Sequence, residues 1–264
     1  MIYMALFAVS DIHGYYDETI KALNEAGFFE SDENKLIVVG DALDRGKQTG
    51  EMINFLLRLH AEGRLIYIYG NHEELFYSCL QEIAAGGIGM IANGMSHHYG
   101  NRTFHTLVDI SGMSMNEALL YPEELVARVK ESDYYKILLP ATVDYYETEK
   151  YIFCHGWIPL DIKIEDKIAN YIYRPDWREA DETEWHKARW RNGMDMCCMR
   201  GIREEGKTIV CGHWNCSWGH ARIDEICSEY GTDAITTPFY ADGIIAIDAC
   251  TARWGRVNCI RIEE

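Results

Sequence analysis

Val9-Ser10-Asp11-Ile12-His13-Gly14, Val39-Gly40-Asp41-Ala42-Leu43-Asp44-Arg45-Gly46 and Tyr69-Gly70-Asn71-His72-Glu73 are the stretches from which the fold of this chain is read. Each closes a short apolar run, at 3–9, 35–39 and 65–69, with the length of a buried strand. Between and after them, 17–26, 50–61 and 73–85 carry apolar residues at helical spacing, the first two closed by Gly27 and Gly63. Strand and helix alternating at this period predict right-handed βαβ units and a mainly parallel sheet. In such a sheet ligands bind in the crevice beyond the carboxyl ends of the strands, so the three polar clusters are expected at one edge.

Taken singly, these clusters are ordinary. An Asp-x-His after a strand usually makes a turn or a helix cap, and Asn71-His72 before a helix reads as an N-cap. Together they are not. Thirty residues separate Asp11 from Asp41 and another thirty separate Asp41 from Asn71, one βαβ pass each, and independent turns have no reason to keep that spacing with those residue types. Aspartate, asparagine and histidine combine hard oxygen and borderline nitrogen donors, the mix that suits first-row divalent cations. Two such ions about 3.5–4 Å apart need a shared carboxylate, and Asp41, central in the array, is its natural source.

Composition narrows the rest. The chain has 264 residues, with 25 Lys and Arg against 42 Asp and Glu and a formal charge of −17. That balance argues against a protein that tracks a nucleic-acid backbone, because such binding neutralises phosphates with Lys and Arg. No apolar run approaches the 18 or so residues of a membrane helix, and residues 1–9 lack a basic leader. Nine scattered cysteines without Cys-x-x-Cys spacing signal neither a disulfide framework nor a thiolate zinc site, so a soluble, cytoplasmic protein without membrane contact is expected.

Downstream, 86–112 is rich in Gly, Asn, Ser and His and reads as irregular or short helical structure; 115–131 is predicted helical. Three strand-like runs, 134–139, 142–147 and 151–154, suggest an antiparallel meander. Further strands are expected at 208–211, 243–248 and 256–260, while 161–203 has no clear assignment. No repeat or linker divides the chain, so one domain over 1–264 is expected, with an insertion at about 86–133 and a long, aromatic-rich connector at about 213–242.

The three leading segments resemble the signature of the calcineurin-like metallophosphoesterase superfamily, and in detail its phosphoprotein phosphatase branch: Gly-Asp-x-His-Gly, Gly-Asp-x-Val-Asp-Arg-Gly and Gly-Asn-His-Glu. Phe153-Cys154-His155-Gly156-Trp157 and Cys211-Gly212-His213-Trp214 extend the match. The resemblance implies an α/β fold with two mixed sheets forming a β-sandwich between flanking helices, in α-β-β-α layers. It implies one metal on Asp11, His13 and Asp41 and a second on Asp41, Asn71, His155 and His213. His72 would protonate the leaving oxygen, Asp44 would orient His72, and Arg45 would bind phosphate. A further phosphate-binding arginine is assigned to Arg189 in preference to Arg191. The two divalent ions would be manganese, iron, zinc or cobalt, and the nucleophile a hydroxide between them.

On this footing the expected activity is hydrolysis of phosphomonoesters in a bacterial-style serine/threonine phosphatase, with a phosphorylated protein or a small phosphoester as partner. The alternative within the same chemistry is a bis(5′-nucleosyl)-tetraphosphatase-like hydrolase of diadenosine polyphosphates; a scaffold without catalysis is the distant one. Ser10 stands where the family has glycine, and little effect is expected. Trp157 replaces a second glycine and is read as packing before substrate stacking. In the connector, Trp214, Trp218, His220, Tyr230, Phe239 and Tyr240 make either a substrate lid or a satellite hydrophobic cluster. His97 and His98 lack a carboxylate at a spacing that suggests a third metal.

Overall fold

The computed structural model describes residues 4–165 and 168–263. Leu6–Val9 (β1), Lys35–Val39 (β2) and Leu65–Ile68 (β3) alternate with helices Tyr16–Ala26 (α1), Thr49–Ala61 (α2) and Asn71–Ala84 (α3). Tyr3, expected to open the first strand, lies outside the described residues. Eight more strands follow among the described residues: Tyr145–Glu147 (β4), Tyr151–Cys154 (β5), Leu160–Glu165 (β6), Ile168–Tyr173 (β7), Thr208–Cys211 (β8), Phe239–Ala241 (β9), Ile244–Ala246 (β10) and Cys259–Ile262 (β11).

One sheet runs β11-β1-β2-β3, parallel except for β11; the other runs β4-β5-β8-β10-β9, with β5, β8 and β10 parallel and antiparallel strands at both edges. Side-chain alternation explains the layering. Leu6, Ala8, Ile37, Val39 and Ile68 face Phe153, Val210 and Ile247 in a core between the sheets, whereas Phe7, Val9, Leu36 and Val38 turn outward onto the helices. Outside the second sheet, Ile152, Cys154, Ile209 and Ile244 pack with Trp157, Trp177 and Trp185. Strands buried on both faces read as unbroken apolar runs, which is why they were legible. The expected α-β-β-α sandwich with mixed sheets is what forms.

Several expectations change. Residues 134–139 are not a strand: Tyr134–Leu138 is a π-helical turn continued by a 3₁₀ turn at Leu139–Ala141, and Tyr134 and Leu138, four apart, both bury in the helical core. The meander therefore reduces to the β4–β5 pair, joined to the first sheet through an Ile68–Val143 bridge. The helix at 115–131 breaks into Met115–Leu120 and Pro122–Glu131, because Pro122 has no N–H to continue the first. The last strand starts three residues later than expected, and the unassigned 161–203 supplies the β6–β7 hairpin and helix Glu182–Arg189. In the connector, Trp214, Trp218 and Phe239 pack on the tryptophan core, and Trp157 is fully buried there.

No described helix is long and apolar enough to cross a membrane. The nine cysteines are all free thiols. Ile37, fully buried at the centre of the inter-sheet core, tests the packing: Ile37→Ala should lower unfolding free energy by about 2–5 kcal/mol in a denaturant titration. A loss below about 1 kcal/mol would mean that the sheets do not close on this residue.

Candidate metal centre

The loops that leave β1, β2, β3, β5 and β8 meet at the carboxyl edge of the two sheets, and their backbones are bent to do so. Asp11, His13, Asp41, Asp44, Arg45 and His213 all have φ between 47° and 73°, six of the nine non-glycine residues with positive φ among those described. Each such residue costs on the order of 1 kcal/mol, so the concentration marks a place where the surrounding contacts overrule local preference.

Glu73 is the main restraint. Its Oε2 accepts from the N–H groups of Gly70 (2.8 Å) and Asp41 (3.0 Å), and its Oε1 from the N–H of Ala42 (3.1 Å) and the hydroxyl of Tyr67 (2.7 Å). One buried carboxylate thus ties the loop after β2 to the start of α3. The N–H of His72, in the first turn of α3, donates to Asp41 Oδ1 at 2.9 Å, a use of an otherwise orphan helix N–H. Two glycines leave no space for side chains at this corner. A Cβ on Gly70 would run into Asp41 Oδ1, and Gly40, at φ 80°, leaves room for His155.

Asp41 then stands between two sets of donors. His13, Asp41 and His72 form one cluster and Asp41, His155 and His213 another, the ligand atoms in each within 4.8 Å of one another. Asp41 Oδ2 is 3.9 Å from Nε2 of both His13 and His72, while Oδ1 is 3.3 Å from His155 Nε2. Asn71 Oδ1 lies 2.8 Å from both His155 Nε2 and His213 Nδ1. Asp11 Oδ1 is 3.9 Å from His13 Nε2; its Oδ2 accepts from the His213 N–H (2.9 Å) and the Ser10 hydroxyl (2.5 Å).

This set fits divalent cations. His13 and His155 each donate Nδ1–H to a carbonyl, of Leu43 (2.9 Å) and Val39 (2.8 Å), which turns both Nε2 atoms inward as ligands require. His155 Nε2 then faces two acceptor oxygens, on Asn71 and Asp41, a contact that calls for positive charge between them. The electrostatics agree. Burial opposes a charge on His155, yet the Asp41 carboxylate outweighs it and pushes its pKa up to about 10. His213 is driven down to about 3 by burial and by His155, so it stays a neutral donor. Burial raises Asp41 less than His155 and His72 lower it, leaving it ionised.

Arg45 donates Nη1–H to His13 Nε2 (2.9 Å) and Nη2–H to His72 Nε2 (3.0 Å). His72 Nδ1 donates to Asp44 Oδ2 at 2.7 Å. Asp44 is itself held by the hydroxyls of Thr103 (2.7 Å) and Thr106 (2.6 Å), on helix Thr103–Ser111 of the insertion. Of the predicted site residues, nine therefore converge. Arg189 makes no hydrogen bond or ion pair with these ligands among the described residues. Its guanidinium, 2% exposed, bonds Glu74, Asp144 and Glu182 and lies over the Tyr69 ring. His98 is buried with its Nε2 3.3 Å from Glu82 and belongs to neither cluster.

Sequence reasoning missed the support around the ligands. Ser10, read as neutral, bonds the Asp11 carboxylate; Thr103 and Thr106 carry the signal of two hydroxyls one helical turn apart; Asp248, just beyond β10, is a buried carboxyl pushed well up by burial and by Asp11. Its place after a strand of the second sheet was the available clue.

A model of the calcineurin-like phosphoesterases matches residues 4–237. The chain belongs to this family. It is 33% identical over 85 residues to the asymmetrical bis(5′-nucleosyl)-tetraphosphatase PrpE of Bacillus velezensis (30% of this chain, 34% of the relative) and 26% identical over 142 residues to the PrpE of Bacillus subtilis (51% and 53%). The chain thus aligns with about a third to a half of the length of these relatives. A solved cold-active protein tyrosine phosphatase shares the fold, with a TM-score of 0.54 at 15% identity over 98% of this chain and 74% of that one.

Glu73→Gln should destabilise the chain by about 2–3 kcal/mol, since a carboxamide turns a donor toward donors already in place. An unchanged denaturation midpoint would show that the loops hold without this carboxylate.

Proposed function

We propose that the chain is a dinuclear-metal phosphoesterase in which Asp11, His13 and Asp41 hold one divalent ion and Asp41, Asn71, His155 and His213 the other. The observation that carries this reading is the position of Asp41, whose two oxygens serve two separate histidine clusters. Two bound divalent ions supply a nucleophile near neutral pH and neutralise the phosphoryl oxygens. The remaining work falls to side chains. Arg45 presents two N–H groups toward the pair of histidines and is suited to grip phosphate oxygens through its planar fork. Once phosphate oxygens take the Arg45 N–H groups off His72 Nε2, that nitrogen would carry a proton for the departing oxygen: Asp44 fixes the Nδ1–H, and against the pull of burial Asp41 and Asp44 raise the pKa of His72. The threonine hydroxyls keep Asp44 from turning away.

The centre serves a phosphomonoester and a phosphoanhydride equally. The motifs by themselves suggest a serine/threonine phosphatase; the relatives named as bis(5′-nucleosyl)-tetraphosphatases favour a nucleoside polyphosphate, and we adopt that substrate class.

Metal analysis of protein purified without chelator should give two ions per chain, falling to one or fewer in Asp41→Asn. His72→Ala should keep both ions yet lose about 10²–10⁴-fold in rate on substrates with poor leaving groups; rates within twofold of the parent would refute a proton-donor role. Manganese-loaded protein should turn over diadenosine tetraphosphate faster than a phosphothreonine peptide, and turnover of the peptide alone would return the substrate to protein.

A further inference from the structure

Trp190 stands at 83° to the His213 ring, centroids 5.6 Å apart; the residue is 44% exposed, and its Nε1–H donates to Glu74 Oε2 at 3.1 Å. Trp190 also lines a cleft of about 740 Å³ whose other walls include Tyr171, Lys187, Arg191, Asp195 and Arg200. In a chain of formal charge −17, this cleft is cationic. Asp195 answers Arg200, with its Oδ2 2.8 Å from Arg200 Nε; Lys187 and Arg191 have no carboxylate partner among the described residues.

Arg191 is the telling group. It is only 8% exposed, and its Nε is buried without a hydrogen-bond partner. Its guanidinium lies 4.4 Å from the Tyr171 ring centroid, and that of Arg200 lies 5.0 Å from the same ring. Burying a cation without a counter-charge is costly, so such a group signals an anion that arrives from outside. Arg189, two residues away and more deeply buried, also has an unpartnered Nε, but three carboxylates answer its charge, and among the described residues none answers that of Arg191.

We infer that this cleft is a second binding site, for the distal phosphates and base of a nucleoside polyphosphate whose reacting phosphate sits at the metal centre. Lys187, Arg191 and Arg200 take the phosphate chain, and Trp190, bordering both places, offers a face to the base. This rests on the substrate class proposed above. An acidic phosphopeptide would meet the same cations, but it has no use for an exposed indole face set beside a ligand histidine.

The test is calorimetric titration with adenosine 5′-(β,γ-methylene)triphosphate, which resists hydrolysis at its terminal bridge, and with inorganic tripolyphosphate. Arg191→Gln should weaken both at least tenfold. Lys187→Gln, a change at an exposed residue that leaves packing intact, should weaken both at least threefold. Trp190→Ala should weaken the nucleotide more than the tripolyphosphate. Affinities within twofold of the parent in the Lys187 and Arg191 variants overturn the site, and an acidic phosphopeptide that binds more tightly than the nucleotide and loses affinity in the same variants overturns the nucleotide assignment. Binding is read without turnover, so a chain that binds the nucleotide in this way but hydrolyses no phosphoester would sink the catalytic reading and leave the cleft standing.

Discussion

The contact on which the site depends is the acceptance of three backbone N–H groups and a tyrosine hydroxyl by the Glu73 carboxylate. Parallel strands deliver polar loops to one edge, but nothing in a strand fixes how those loops sit against one another. Glu73 does so from the first turn of α3, gathering Gly70, Asp41 and Ala42 and leaving the α3 N-terminus to hold Asp41 in turn. The strained φ values at Asp41, Asp44 and Arg45 persist because this carboxylate and its neighbours remove the alternatives.

A second constraint is charge. Asp11, Asp41, Asp44, Glu73 and Asp248 are all buried around one edge, an arrangement that no apolar interior tolerates unless cations or donors answer each group. Asp44 has two threonines and His72, Glu73 has its four donors, and Asp41 has the imidazoles. The insertion earns its place here, because Thr103 and Thr106 reach the site from a helix that packs against α3 and not from the sheets at all.

Much of this was legible because it is local. The spacing of Asp11, Asp41 and Asn71 reflects the length of a βαβ pass, and strands such as 35–39 are apolar on both faces. What was not legible depends on tertiary context. Tyr134-Tyr135-Lys136-Ile137-Leu138 suits a strand or a helical turn equally, and burial of Tyr134 beside Phe76 decided it. Ser10 is unremarkable until β8 brings Gly212 against it, and Arg189 resembles a phosphate ligand until Glu74 and Asp144, far away in sequence, claim its guanidinium. Asp248 closes the apolar run Ile244-Ile245-Ala246-Ile247 and reads as part of the strand at 243–248, so it is not weighed with the polar residues that follow the other strands.

The hydrogen bond from the His213 backbone to Asp11 spans 202 residues. A ribosome making this chain therefore exposes the first three polar loops long before the strand that completes them has left the exit tunnel. The acidic loops so exposed lack the His213 backbone donor until β8 arrives, and the edge of the leading sheet beside β1 stays open until β11, the last strand of all, is made.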